Sequence, residues 1–167
     1  MDYFVISPDA RAVSGKRVDY SNPAFRGEEP FVTWLELKQD ERLPDFLWGG
    51  SRTQPIFCVS DEMKGILDYY GCLTDAVPVF LTDVQYRSQK VYWRIDLQKQ
   101  DCLVQELYAG GEQLKFRSMP GPYDYMFQAV NERVWYPIVS LELAENLLRR
   151  HMYGLCFYPV SGCEKGA

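Results

Sequence analysis

Catalysis needs a proton carrier, a nucleophile or a metal, and few residues of this chain could supply one. His151 is the sole histidine, and histidine is the side chain whose ordinary pKa lies near neutrality. A Ser-His-Asp or Cys-His hydrolase would have to use it, with Cys58 or Cys156 as the thiol in the second case. Yet His151 falls near the end of a helical pattern, at i+7 from Ala144 on the stripe that holds Leu147 and Leu148. A histidine there can cap backbone carbonyls and favour the negative end of the helix with no catalytic role. The acidic groupings Glu28-Glu29, Asp40-Glu41, Asp61-Glu62 and Glu142 with Glu145 could serve glycoside chemistry only if two of them faced each other across a cleft, which spacing cannot establish.

Metal and nucleotide chemistry find even less. The five cysteines, Cys58, Cys72, Cys102, Cys156 and Cys163, form no C-x-x-C pair, and one histidine with scattered thiols offers no standard ligand spacing. The sequence contains no G-x-x-x-x-G-K-[ST], no G-x-G-x-x-G and no G-x-S-x-G, the strings that cradle phosphates or present a serine nucleophile. Gly49-Gly50-Ser51 and Gly110-Gly111 read as turns. We expect no catalytic residue, no metal and no cofactor, and so not an enzyme.

Composition directs attention to protein partners. The 167 residues hold 23 acidic and 18 basic side chains, a net charge of −5, with 15% aromatics. That balance repels phosphate backbones and lacks a polybasic attraction to anionic lipid, which argues against nucleic acid and membrane surfaces. It would suit a basic protein partner, although it is also an ordinary charge for a soluble protein. The start, Met1-Asp2-Tyr3-Phe4-Val5-Ile6, lacks the basic residue and long apolar run of an export signal, and nowhere do roughly eighteen apolar residues run together. Cysteines that are odd in number and set in apolar runs point to reduced thiols. The expectation is a cytoplasmic protein. Aromatics favour binding hot spots because they offer area at little entropic cost. Tyr123, Asp124 and Tyr125, beside Pro120-Gly121-Pro122, and Trp48, beside Gly49-Gly50, are the candidate partner-contacting residues.

The elements that must position these residues are legible in part. Asp2–Ser7 predicts a strand, residues 9–30 a long surface loop, and Phe31–Leu37 a second strand. Leu43–Gly50 predicts an ordered loop or a single helical turn. Pro55–Val59 is a short apolar strand leading to Ser60, a natural helix N-cap whose hydroxyl accepts an otherwise unpaired backbone N–H. Asp61 and Glu62 favour the positive helix end, and Met63, Ile66, Leu67 and Tyr70 share one face. Gly71 suits the left-handed residue that closes a helix. The order recurs at Pro137-Ile138-Val139, Ser140, a helix from Leu141 to about Met152, Gly154 as its cap, and a strand over 155–160. The serines lie 80 positions apart, which leaves duplication and convergence on the same capping rules both open. Lys90–Leu97, Cys102–Tyr108 and Gln113–Arg117 read as antiparallel sheet with a turn at Ala109–Glu112; Tyr123–Val134 is unassigned. We read residues 1–167 as one α+β domain, with mainly antiparallel or mixed sheet and two serine-capped helices in strand-helix-strand modules.

The string from Pro55 through Ser60 to Leu67, the preceding Leu43-Pro44-Asp45-Phe46, and the closing run from Ile138 through Ser140 to Leu148 and from Gly154 to Val160 resemble a bacterial immunity-protein family. It is the family numbered eleven among the immunity proteins of polymorphic toxin systems, and Tyr3–Ser7 is similar to its opening strand. The resemblance covers most of the chain in order and spacing. It implies a cytoplasmic α+β protein that binds a cognate toxin and blocks it, and it assigns no catalytic residue. Ser60 and Ser140 match the family's strand-to-helix serines and are read as caps; residues 9–29 give the least to match. The alternatives are a generic interaction or scaffold domain without a toxin partner and, further off, a hydrolase using His151. Oligomeric state is left open.

Overall fold

A computed structural model describes residues 1–14, 17–37 and 42–163; the Asp40-Glu41 acid pair lies outside them. The chain runs through β1 (Tyr3–Pro8), the one-turn helix α1 (Ala10–Val13), β2 (Arg17–Val18), a 3₁₀ turn (Pro23–Arg26) and β3 (Phe31–Glu36). Next come β4 (Phe46–Gly50), β5 (Pro55–Ser60), α2 (Asp61–Tyr69), β6 (Leu73–Asp83) and β7 (Ser88–Leu97). They are followed by β8 (Lys99–Gln100), β9 (Leu103–Tyr108), β10 (Gly111–Phe116), β11 (Met126–Asn131), β12 (Val134–Ser140), α3 (Leu141–Arg149) and β13 (Leu155–Val160). The fold is α+β and dominated by sheet. One sheet has the order β2-β3-β6-β7-β5-β4, the other β13-β1-β12-β11-β8, and β9 and β10 form a hairpin of their own.

The two larger sheets contain the same unit. In the first, the β4–β5 hairpin leads into α2, and α2 leads to β6, which lies parallel to β5 but one strand away. The gap is filled by β7, antiparallel to both. In the second, β11–β12 leads through α3 to β13, and the gap is filled by β1, the first strand of the chain. The registers coincide. Ser60, Val59 and Cys58 pair with Tyr92, Trp93 and Arg94, as Ser140, Val139 and Ile138 pair with Tyr3, Phe4 and Val5. Tyr92 and Trp93 then face Val79 and Pro78, as Tyr3 and Phe4 face Val160 and Pro159. The amide of Ser60 donates to Asp45 O at 2.9 Å, and that of Ser140 to Tyr125 O at 2.8 Å.

Capping follows the same plan. Ser60 Oγ accepts from Met63 N and Ser140 Oγ from Leu143 N, both at 3.3 Å. Each helix closes with paired backbone bonds that return to its last turn. These are Gly71 N to Asp68 O and Cys72 N to Leu67 O in α2, and His151 N to Leu148 O at 3.0 Å and Met152 N to Leu147 O at 3.1 Å in α3. Gly71 has the left-handed φ of 65° that such a closure needs, and in α3 that position belongs to His151 with φ 57°. Gly154 is therefore not the cap of α3, and the helix ends at Arg149, short of the expected Met152. Gly154, itself at φ 70°, is glycine for another reason: a Cβ there would meet Pro44 at 2.9 Å and Ala12 at 3.0 Å.

Both helices press into one core, where Met63, Ile66 and Leu67 of α2 meet Leu143, Ala144 and Leu147 of α3 and side chains from both sheets. Asn146 Nδ2 donates to Tyr70 OH across the helix pair at 3.1 Å. Buried Asp45 joins the units a second time. Its N–H donates to Tyr153 O at 3.0 Å and its carboxylate accepts from Tyr153 N. Three segments differ from the sequence reading. Residues 46–50 form an edge strand, because β5 supplies the backbone partners that the local sequence does not announce. Residues 126–131 are the interior strand β11, between β12 and β8 and buried throughout. The expected surface loop over 9–30 carries a helix turn and buries Phe25, which packs edge-on against Phe31 at 4.8 Å over the face of the first sheet.

Replacing His151 with Gly should raise unfolding free energy by about 1 kcal/mol, and Gly71→Ala should lower it by a similar amount, since a Cβ is disfavoured at positive φ; urea titration measures both. A chain opened in the β6–β7 turn at 84–87, with its two ends joined by a short linker, should retain one cooperative unfolding transition, because Tyr3 and Val160 already stand opposite each other. Loss of cooperative unfolding would contradict the equivalence of β1 and β7.

Candidate functional site

The residues that could begin a mechanism are spread through the fold. His151 is exposed on the closing turn of α3. Asp61 Oδ1 accepts from Trp93 Nε1 at 2.8 Å, and Glu145 pairs with Arg149 at 3.1 Å. The two serines are engaged as caps. Burial pushes the thiols of Cys58 and Cys72 up to about 12, and that of Cys102 to about 11. At pH 8 a thiol with such a value is roughly one part in a thousand ionised or less. Among the described residues, no cluster of three or more His, Cys, Asp or Glu side chains could hold a metal ion. No described helix is long and apolar enough to cross a membrane.

The four candidate partner-contacting residues differ in exposure. Trp48 is half-buried, leaning on Phe57 at 5.8 Å and Tyr136 at 6.4 Å, and it touches two of the three cores. Tyr125 packs edge-on against Tyr70 at 4.9 Å. Asp124 accepts from Gly121 N at 2.8 Å and Gln100 Nε2 at 3.0 Å, which fixes the turn before β11. Tyr123 is 80% exposed and is the one of the four turned fully to solvent.

A different surface stands out on the first sheet. One face of β5, β7 and β6 is covered by α2, which packs over Phe57, Val59 and Ile95 and reaches as far as Trp93. Beyond that row β6 and β7 continue, and β3 is added alongside in parallel. On this extension Val32 pairs with Phe80, and Phe80 with Val91, while Trp34 pairs with Thr82. Directly paired residues project to the same side of a sheet, so Val32, Trp34, Phe80 and Val91 form a contiguous apolar face. Val32 is 55% exposed, Trp34 59% and Val91 42%. The opposite face carries Leu35, Val79, Leu81 and Tyr92 and is sealed in its own core under Phe25. Among the described residues the second unit shows no such extension: β1 spans Tyr3–Pro8 and β13 spans Leu155–Val160.

The sequence does carry a signal for this face. Val77-Pro78-Val79-Phe80-Leu81 is apolar on both sides of the strand, the pattern of a strand covered on two faces, and this fold covers one of them fully and the other only in part. No model of a known protein family matches the sequence, and no curated protein matches it.

Trp48→Ala should cost about 2–3 kcal/mol because the ring bridges two cores, whereas Tyr123→Ala should stay within about 0.5 kcal/mol; chemical denaturation distinguishes them. In the native protein at pH 8, an aromatic disulfide reagent should label no cysteines other than Cys156 and Cys163, and all five after addition of denaturant.

Proposed function

We propose that this protein acts by binding another protein, and that it is an immunity-type protein which neutralises a cognate bacterial toxin in the cytoplasm. The observation that carries the binding reading is the uncovered apolar face of β3, β6 and β7. Apolar area of this kind, left in water beside a helix that covers the rest of the same sheet face, marks surfaces that other proteins cover. The toxin reading is supported by the resemblance in order and spacing from Tyr3 to Val160 and by a net charge of −5, which suits a basic toxin domain. A scaffold domain without a toxin partner would use the same face.

The test is to express the polypeptide encoded beside this gene, alone and together with this protein. Growth arrest by the neighbour, relieved by co-expression, with nanomolar affinity between the purified proteins, is the expected result. No growth effect from any neighbouring product and no affinity tighter than micromolar would overturn the toxin reading.

A further inference from the structure

Resting on the protein-binding reading above, we propose that the β3–β6–β7 face receives a partner surface with an apolar centre and a cationic margin, a lysine or arginine of the partner seating beside Trp34. Trp34 stands at the edge of the face, over a hollow of about 420 Å³ lined by Arg17, Val18, Asp19, Trp34 and Glu36. Two constraints place carboxylates on either side of the indole. Asp19 stands opposite Trp34, its N–H donating to Trp34 O at 3.0 Å and one oxygen of its carboxylate accepting from Ser21 N at 3.1 Å and from Ser21 Oγ, and Glu36, two residues on from Trp34, projects from the same face of the strand. An exposed indole flanked by acids attracts a guanidinium or ammonium group through the ring quadrupole and through charge-assisted hydrogen bonds.

The fold already makes this contact once on the same sheet face. Lys64 Nζ lies 4.4 Å from the centre of the Trp93 ring, and the Trp93 indole N–H is held by Asp61. At Trp34 the aromatic and the acids are in place, and among the described residues Arg17 is the cation that lines the hollow with them. Arg17, opposite Glu36 in register, offsets one of the two carboxylates, so the described lining keeps one carboxylate in excess. The same charge argues against a second copy as the occupant, because two acidic margins would be brought together.

The experiment has two arms. In the first, ¹⁵N spectra of the whole protein are titrated with an eight-residue peptide of alternating lysine and leucine, and with its glutamate–leucine counterpart. Shifts from the basic peptide alone, centred on Val32, Trp34, Phe80 and Val91, are expected, with affinity reduced at least tenfold by Glu36→Lys and by Trp34→Ala. Shifts elsewhere, equal response to both peptides, no response, or a solution mass of two chains that Trp34→Asp reduces to one would each overturn the proposal. In the second arm the neighbouring gene's product is bound to the wild type and to Trp34→Asp, whose exposed position should leave the melting temperature within a few degrees. Loss of at least a hundredfold in affinity is expected. Unchanged affinity would overturn this surface and leave the toxin reading standing, whereas failure to bind the wild type would overturn the toxin reading while the peptide arm still decides the surface.

Discussion

Two parallel strands joined by a helix, and set one strand apart, leave a row of unpaired N–H and C=O groups on each side of the gap. Burying such groups without partners costs on the order of 1–3 kcal/mol each, so the unit exists only if a third, antiparallel strand fills the space. In one half of this protein the next strand in the chain, β7, turns back and does so. In the other the first strand, β1, closes the gap left by elements more than a hundred residues further on. The second sheet therefore cannot be completed without the N-terminal strand, and Tyr3, Val5 and Ile6, all buried, fill its cores from that position.

With the strands placed, the helices have one face to cover and one to offer each other. Their serine caps satisfy the first-turn amides, and their closing turns return amides to the last-turn carbonyls. The chain thus enters and leaves each helix at a set angle, and Leu67 and Leu147 are driven into a common core. The left-handed residue at the end of α3 is His151, so the sole histidine sits on an exposed turn.

Where α2 stops, the first sheet goes on. The nine-residue helix spans about 14 Å at 1.5 Å per residue, while β6 runs for eleven residues and some 36 Å at 3.3 Å per residue. A helix of that length cannot shield the whole strand. The far end of the face remains in solvent, with Trp34 and its flanking carboxylates at the margin. The opposite side of the same strands is closed by Phe25 from a segment that reads as polar loop.

What the sequence determined by itself was local: the strand at Pro55–Ser60, the cap at Ser60, the apolar stripe of α2 and the left-handed Gly71 follow from hydrogen-bonding capacity and periodicity within a dozen residues. The same rules found α3 but misassigned its closure to Gly154, since they favour glycine at positive φ and cannot see that Pro44 and Ala12 demand a glycine at 154 for lack of space. Tertiary structure decided the rest. Phe46–Gly50 is a strand because β5 pairs with it, and β1 and β7 are equivalent because each fills a gap made elsewhere in the chain. Trp48 and Tyr125 turn inward while Val32 and Trp34 face solvent. An apolar residue on an amphipathic strand has the same local pattern whether a helix lies over it or not, and only the reach of that helix distinguishes a core from a surface left open for another protein.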